Sequence, residues 1–206
     1  MKRKIAWSLI AVLLAFSSPV MAQYASHETG FHRYYVGSTL FMLGNLDAKN
    51  KPDFVQLNLG YRLTQRDVIS VELKTWKYGW SLGIPYGDKW EAPEEKFPGY
   101  IREYGFALAY QHFWWKGFYS GIHMMNAWQT FVDAAGVNID KGFQVFNTYR
   151  LGYHFSFFSD RVFIEPSLAV THRLYHTEMP ASFKQMDDKW SKFFFGEPGL
   201  HFGINF

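Results

Sequence analysis

The sequence predicts an all-β chain, a closed up-and-down antiparallel transmembrane β-barrel of eight strands. Three observations predict it. Large apolar residues alternate with small or polar ones at a period of two in one segment after another. Short and long connections between those segments take turns, as they do in an up-and-down barrel. The face opposite the large apolar residues mixes Gly and Ala with Glu, Lys, Arg and Gln, a poor dry core and a suitable narrow polar lumen.

The chain opens with an address. Lys2, Arg3 and Lys4 form a positive region, Ile5 to Phe16 an apolar one, and Pro19-Val-Met-Ala22 a small-residue exit. This is the pattern of a cleaved secretory signal over 1–22, and the apolar run is too short for a comfortable membrane span. Residues 23–206 are then the mature β-barrel domain.

Removing the leader takes three of the 21 Lys+Arg and none of the 18 Asp+Glu, so the formal net charge falls from +3 to zero. No basic patch is left to suggest nucleic acid as a partner. With no cysteine, disulfides, thiolate metal sites and thiol nucleophiles are excluded. No mature run holds 18 consecutive apolar residues, which argues against membrane-spanning helices and leaves barrels open.

The strands follow in order. Residues 33–43 form a first, weaker segment. In 54–63, Val55, Leu57, Leu59, Tyr61 and Leu63 alternate with Phe54, Gln56, Asn58, Gly60 and Arg62. After the polar turn Thr64–Asp67, Ile69, Val71 and Leu73 alternate with Ser70, Glu72 and Lys74, so the two segments form a hairpin. In 100–112, Tyr104, Phe106, Leu108 and Tyr110 oppose Glu103, Gly105, Ala107, Ala109 and Gln111; a second weaker segment spans 118–128. In 143–156, Tyr149, Leu151, Tyr153 and Phe155 oppose Thr148, Arg150, Gly152, His154 and Ser156. In 162–173, Val162, Ile164, Leu168 and Val170 oppose Glu165, Ser167, Ala169, Thr171 and Arg173. The last segment, 194–206, sets Leu200, Phe202, Ile204 and Phe206 against Glu197, Gly199, His201, Gly203 and Asn205.

Thr64–Asp67, Trp114–Gly117 and Phe158–Arg161 are the short connections. Gly44–Asp53, Tyr78–Gly99, Gln129–Lys141 and His176–Lys192 are the long ones. Aromatic residues gather at strand ends: Phe113, Trp114, Trp115, Phe118 and Tyr119 about one turn, and Phe155, Phe157, Phe158 and Phe163 about another. Trp76, Tyr78, Trp80, Tyr100, Trp128 and Phe143 lie at the opposite ends. Amphipathic rings are favoured at bilayer interfaces, where both sets are expected to sit.

The final Phe206, preceded at alternate positions by Ile204, Phe202 and Leu200, resembles the C-terminal signature by which the bacterial assembly machinery recognises outer-membrane barrels. In length, loop rhythm and aromatic content the mature chain resembles the small eight-stranded outer-membrane proteins. The resemblance implies residence in the bacterial outer membrane, with the assembly machinery, outer-membrane lipid and lipopolysaccharide as partners. A lumen filled by side chains goes with it, and a structural, surface-interaction or small-solute role rather than a wide pore.

Eight inward charges cancel: Arg62, Lys74, Arg150 and Arg173 against Glu72, Glu103, Glu165 and Glu197. The expected pairs are Arg62 with Glu72, Lys74 with Glu103, Arg150 with Glu165 and Arg173 with Glu197, since diagonal neighbours on one face lie within reach of such side chains. His154 beside Glu165 can act as a general base, with Ser156 and Ser167 nearby, which keeps a lipid-modifying outer-membrane hydrolase as the alternative function. Lipid A deacylase barrels carry a His-x-Ser pair near a strand end, and the reading of this chain is that it has no His followed two residues later by Ser, an expectation corrected below. His172 and His176 stand ~13 Å apart on a strand, too far to share one metal ion. The acidic tracts Glu91–Glu95 and Asp187-Asp188 are expected in solvated outer loops. No catalytic residue, metal site or cofactor is assigned.

Overall fold

A computed structural model describes residues 32–47, 51–79 and 97–206. The expected leader 1–22, Trp80 and the acidic tract Glu91–Glu95 lie outside the described residues. The described chain is all-β, with nine antiparallel strands in one sheet. They are β1 (Tyr34–Thr39), β2 (Val55–Arg62), β3 (Asp67–Tyr78), β4 (Gly99–Trp115), β5 (Phe118–Asp133), β6 (Asn138–Tyr153), β7 (Phe155–Phe157), β8 (Val162–His176) and β9 (Phe193–Asn205). Hydrogen bonding runs from each strand to the next through β1 to β6, then through β8 and β9 back to β1, a ring of eight strands. The ninth, β7, pairs only with β8. It continues the path of β6 after a break at His154, whose N–H donates to the Gly117 carbonyl at 2.8 Å. The single segment expected over 143–156 is therefore two strands.

Burial around this ring is inverted relative to a water-soluble protein. Along β2, Gln56, Asn58, Gly60 and Arg62 are buried while Val55, Leu57 and Leu59 are exposed. The same holds on β3, β4, β6, β8 and β9: Glu72, Glu103, Arg150, Thr171 and Asn205 are buried, and Val71, Leu108, Leu151, Leu168 and Ile204 are exposed. Large side chains fit inside because small ones face them. A Cβ on Gly60 would fall 1.7 Å from a ring carbon of Tyr35, and one on Gly199 would fall 2.1 Å from an Arg150 nitrogen. Gly60, Gly152, Gly199 and Gly203 are seats for large neighbours, and a side chain there would overpack the interior.

Four expectations about elements change. The segment 33–43 is a strand only to Thr39; Leu40–Leu46 is a 3₁₀ helix, because the Thr39 hydroxyl accepts from the Phe41 N–H and Phe41 packs edge-on against Phe54 and Trp76. The segment 118–128 extends to Asp133, and β6 begins at Asn138. The long connection expected over Gln129–Lys141 is thus a tight turn, held by the Asp133 carboxylate accepting from the Ala135 and Val137 N–H groups, each at 2.9 Å. The connection over His176–Lys192 folds into a short helix, α1 (Ala181–Asp187), which buries Phe183. No helix among the described residues is long and apolar enough to cross a membrane, which says nothing of strands.

The aromatic clusters divide as well. Trp114, Trp115, Phe118, Phe157 and Phe158 are exposed on the outer face near the short turns, and Trp128 is exposed near the other end. Trp76, Tyr78, Tyr119 and Phe163 are instead buried in the interior, contrary to the expected interface positions. Strand alternation sends them inward, on the parity of Lys74, Glu103 and Glu165.

Candidate functional site in the ring interior

The interior is a stack of three polar and aromatic layers. Nearest the short turns, His154 lies between Phe163, stacked at 5.0 Å, and Phe113, edge-on at 5.5 Å, with the Arg62 guanidinium 5.6 Å from the Phe113 ring. Its Nδ1 lies 2.7 Å from Glu165 Oε1 and its Nε2 3.8 Å from Asp160 Oδ1. Burial pushes the Asp160 carboxyl up, but His154 and the nearby Arg62 charge outweigh it and hold the group below its ordinary value. The turn that carries Asp160 puts Phe158, Ser159 and Asp160 all at positive φ, between 54° and 64°, a strained run for non-glycine residues. It is pinned by Asn205, whose side-chain amide donates to the Asp160 carbonyl at 2.6 Å.

In the middle layer, Glu72 Oε1 meets His123 Nδ1 at 2.9 Å, and Arg150 lies 3.5 Å from Glu197 and donates to Ser167 at 2.8 Å. Thr171 donates to Glu197 at 2.7 Å. Between these groups is a cavity of about 20 Å³, measured for the centre of a water molecule and lined by Tyr35, Glu72, His123, Arg150, Glu165 and His201 among others. That is room for about one water and not for a hydrated ion stream.

At the long-connection end, Glu103 is fully buried. Its carboxylate accepts from Trp76 Nε1 at 3.0 Å, from Gln144 at 2.7 Å and from the Tyr78 hydroxyl, and Lys74 Nζ stands 4.0 Å away. Above it, Phe54, Trp76, Tyr78, Ile101, Phe131 and Phe183 form an apolar cluster across the mouth. Arg173 holds α1 over this cluster through two bonds to Asp187, at 2.6 and 2.5 Å.

Of the four expected charge pairs, Lys74 with Glu103 is present, on the diagonal that the register Trp76↔Glu103 and Lys74↔Gly105 creates. The other three are corrected for one reason: each was placed four residues out of register. Arg62 lies opposite Val68, whereas Glu72 lies opposite Asn58. Arg150 lies opposite Ala169, which lies opposite Glu197, so Arg150 reaches across a small residue to Glu197 rather than to Glu165. Arg173 is beyond the reach of Glu197 and takes Asp187 from α1. Of the acidic pair expected in a solvated loop, Asp187 is instead largely buried in an ion pair with Arg173, while Asp188 is exposed beside Lys184.

Sequence reasoning also passed over two partners, His123 for Glu72 and Asp160 for His154. The parity of His123 on β5, shared with Gly121 and Met125, was the available signal. The His-x-Ser spacing does stand in the chain, at His154-Phe155-Ser156, contrary to the assignment above. Both side chains face inward, but Ser156 faces Asp160, and no serine hydroxyl is placed on His154, whose bonded partner is a carboxylate. The geometry is that of an imidazole bonded to the Glu165 carboxylate through Nδ1, with the Asp160 carboxylate 3.8 Å from its Nε2. His172 stacks on Phe193 at 4.0 Å. Among the described residues, no three His, Asp or Glu side chains converge as a metal site would require.

Comparisons with protein-family models, with curated proteins and with solved structures found no match for the chain.

The tie between Arg173 and Asp187 is directly testable. Asp187→Asn keeps the shape and removes the charge, and it is expected to weaken the docking of α1 by about 1.5–3 kcal/mol, the range for a hydrogen bond to a charged group. Limited proteolysis should then cut within 181–192 more than tenfold faster, while the strands stay protected.

Proposed function

We propose that this chain is an integral β-barrel of the bacterial outer membrane, exported by residues 1–22 and seated in lipid as a closed, non-conducting body. Its role on this reading is structural or lipid-facing rather than that of a pore. The observation that carries the proposal is the inverted burial around the ring. A water-soluble barrel turns its large apolar residues inward, whereas here most of those on the ring strands face out and the charges are inside, with an aromatic cluster confined to the mouth and a few rings near the short turns.

The outer aromatic rows support it. On β5, Phe118 and Trp128 are both exposed and ten residues apart. At ~3.3 Å per residue and a tilt of ~40°, they are separated by ~25 Å along the membrane normal, the height of the apolar band of outer-membrane barrels. Leu200, Phe202, Ile204 and Phe206 are exposed along the last strand, where assembly machinery and lipid can meet them. Pairing between β1 and β9 satisfies the backbone from His201 to Asn205, as lipid requires.

Density fractionation of cells should place the mature protein, beginning near Gln23, with outer membranes. Unboiled samples should migrate differently from boiled ones in detergent gels. In planar bilayers the purified protein should give no steady conductance above the lipid baseline, since the interior holds about one water's worth of space in its middle layer. Recovery in the soluble periplasm overturns the membrane reading, and stable conductance steps overturn the closed lumen.

A further inference from the structure

The ring is lopsided, and its short side has a gap. β4 has 17 residues and β1 only six, ~56 Å against ~20 Å of strand. β1 pairs with β2 only as far as Gly37↔Asn58 and with β9 only as far as Thr39↔His201. Beyond those points, among the described residues, Val55 to Leu57 of β2 and Glu197 to Leu200 of β9 have their strand pairing on one side alone. Backbone edges exposed to lipid are costly, so this stretch of wall must be covered.

What covers it is the 3₁₀ helix Leu40–Leu46, which packs against β9. Side chains, rather than a strand, clip it in place. Ser38 donates to the Gln56 carbonyl at 2.7 Å and Thr39 to the Leu200 carbonyl at 3.2 Å. The Asn45 amide donates to the Phe54 carbonyl at 2.7 Å and accepts from the Phe54 N–H at 2.8 Å, both bonds a neighbouring strand would have made. Seven residues is long for a 3₁₀ helix, whose hydrogen bonds are poor and whose longer runs mark hinges or strain. Its side chains repeat every three residues. Leu40, Leu43 and Leu46 all face out, with Leu43 58% and Leu46 80% exposed, while Met42 packs on the apolar cluster in the mouth of the ring and Phe41, itself exposed, lies edge-on against Phe54.

We propose that this segment is a side door: a lateral site where one hydrocarbon chain of a lipid or fatty acid passes from the membrane, beside the 3₁₀ helix, into the apolar mouth against Phe54, Trp76 and Phe183. The inference rests on the membrane-barrel reading. The wall is held here by four side-chain bonds instead of a ladder, its outer surface is leucine, and behind it lie the aromatic rings and methionines of the apolar cluster. A hydrocarbon chain matches all three. A charged or hydrated solute matches none of them.

The test uses dibrominated stearic acid, a short-range quencher, added to phosphatidylcholine vesicles holding the protein. Two variants are compared, one with Trp76 as the sole tryptophan and one with Trp128, the other tryptophans being Phe. Trp128, exposed on the outer face, should be quenched in simple proportion to membrane fatty acid. Trp76 should be quenched along a saturating curve, and Asn45→Ala should speed that quenching on the order of five- to tenfold, as loss of one or two neutral hydrogen bonds implies. Trp76 left bright when Trp128 is fully quenched overturns the side door alone; so does a Trp76 curve that merely follows Trp128. Trp128 left bright overturns the membrane reading beneath it. Should a single-tryptophan variant fail to fold, a diazirine-bearing stearic acid photolysed with the unaltered protein gives the same decision. Labels on Phe54, Trp76 or Phe183 support the site, and labels confined to exposed residues such as Phe41, Leu43 and Leu168 overturn it.

Discussion

Glu103→Ala is expected to destabilise the folded chain by about 3–5 kcal/mol, the range for breaking a buried ion pair by removing one partner. Four donors, from Trp76, Tyr78, Gln129 and Gln144, converge on this fully buried carboxylate, and Lys74 stands 4.0 Å away with only 12% of its side chain exposed. Alanine removes their shared acceptor in a space closed above by the apolar cluster, and only the two glutamines keep another, the Tyr78 hydroxyl. The double change Lys74→Met with Glu103→Gln should recover much of the loss, because it removes both charges and keeps an acceptor for the donors. Urea unfolding in lipid vesicles measures each variant. A cost below about 1 kcal/mol for Glu103→Ala would mean that water reaches the network and that the mouth is not sealed.

The faces were legible in the sequence and the register was not, and Glu103 shows why. Alternation at period two assigns a residue to one side or the other whatever its neighbours do, so Glu103, Lys74 and Arg150 fell on the interior side from sequence alone. Pairing across strands depends on where each turn closes. At Thr64–Asp67, Leu63 and Thr64 both donate to the Asp67 carbonyl, which fixes Arg62 opposite Val68 and carries Glu72 ~13 Å away along the strand. A hairpin read from composition does not contain that detail. The charges remain on the correct side and exchange partners.

Elements that interrupt a strand were harder still. Leu40, Leu43 and Leu46 have a period of three and Phe41 to Leu43 a period of two, so 33–43 reads equally as a strand. What ends it is tertiary: β1 has no neighbour to pair with past Thr39, and Phe41 finds Phe54 and Trp76, distant in sequence. Likewise α1 exists because Phe183 fills the mouth and Asp187 meets Arg173, contacts no local propensity announces. Inward glycines were read as small lumen residues; that Gly60 is small because Tyr35 occupies its space required the register of β1 against β2.

Leu168→Lys is expected to cost about 2–4 kcal/mol in vesicles if Leu168 lies near the bilayer midplane, as its place in the middle of β8 indicates. Leu168 is 62% exposed. In a water-soluble protein, replacing so exposed a leucine with lysine is nearly neutral, within about 0.5 kcal/mol. In lipid, the ammonium must either leave water or drag it inward. Position therefore matters as much as charge: Phe158→Lys, on the short turn and equally outward, should cost ~0–1 kcal/mol, since charges near the interface are tolerated. Urea unfolding in vesicles of one lipid gives both values, and their difference is independent of how the unfolded chain is referenced. A midplane cost well above the rim cost is what a membrane-spanning ring requires. Equal and small costs would show that water, and not lipid, surrounds the exposed leucines.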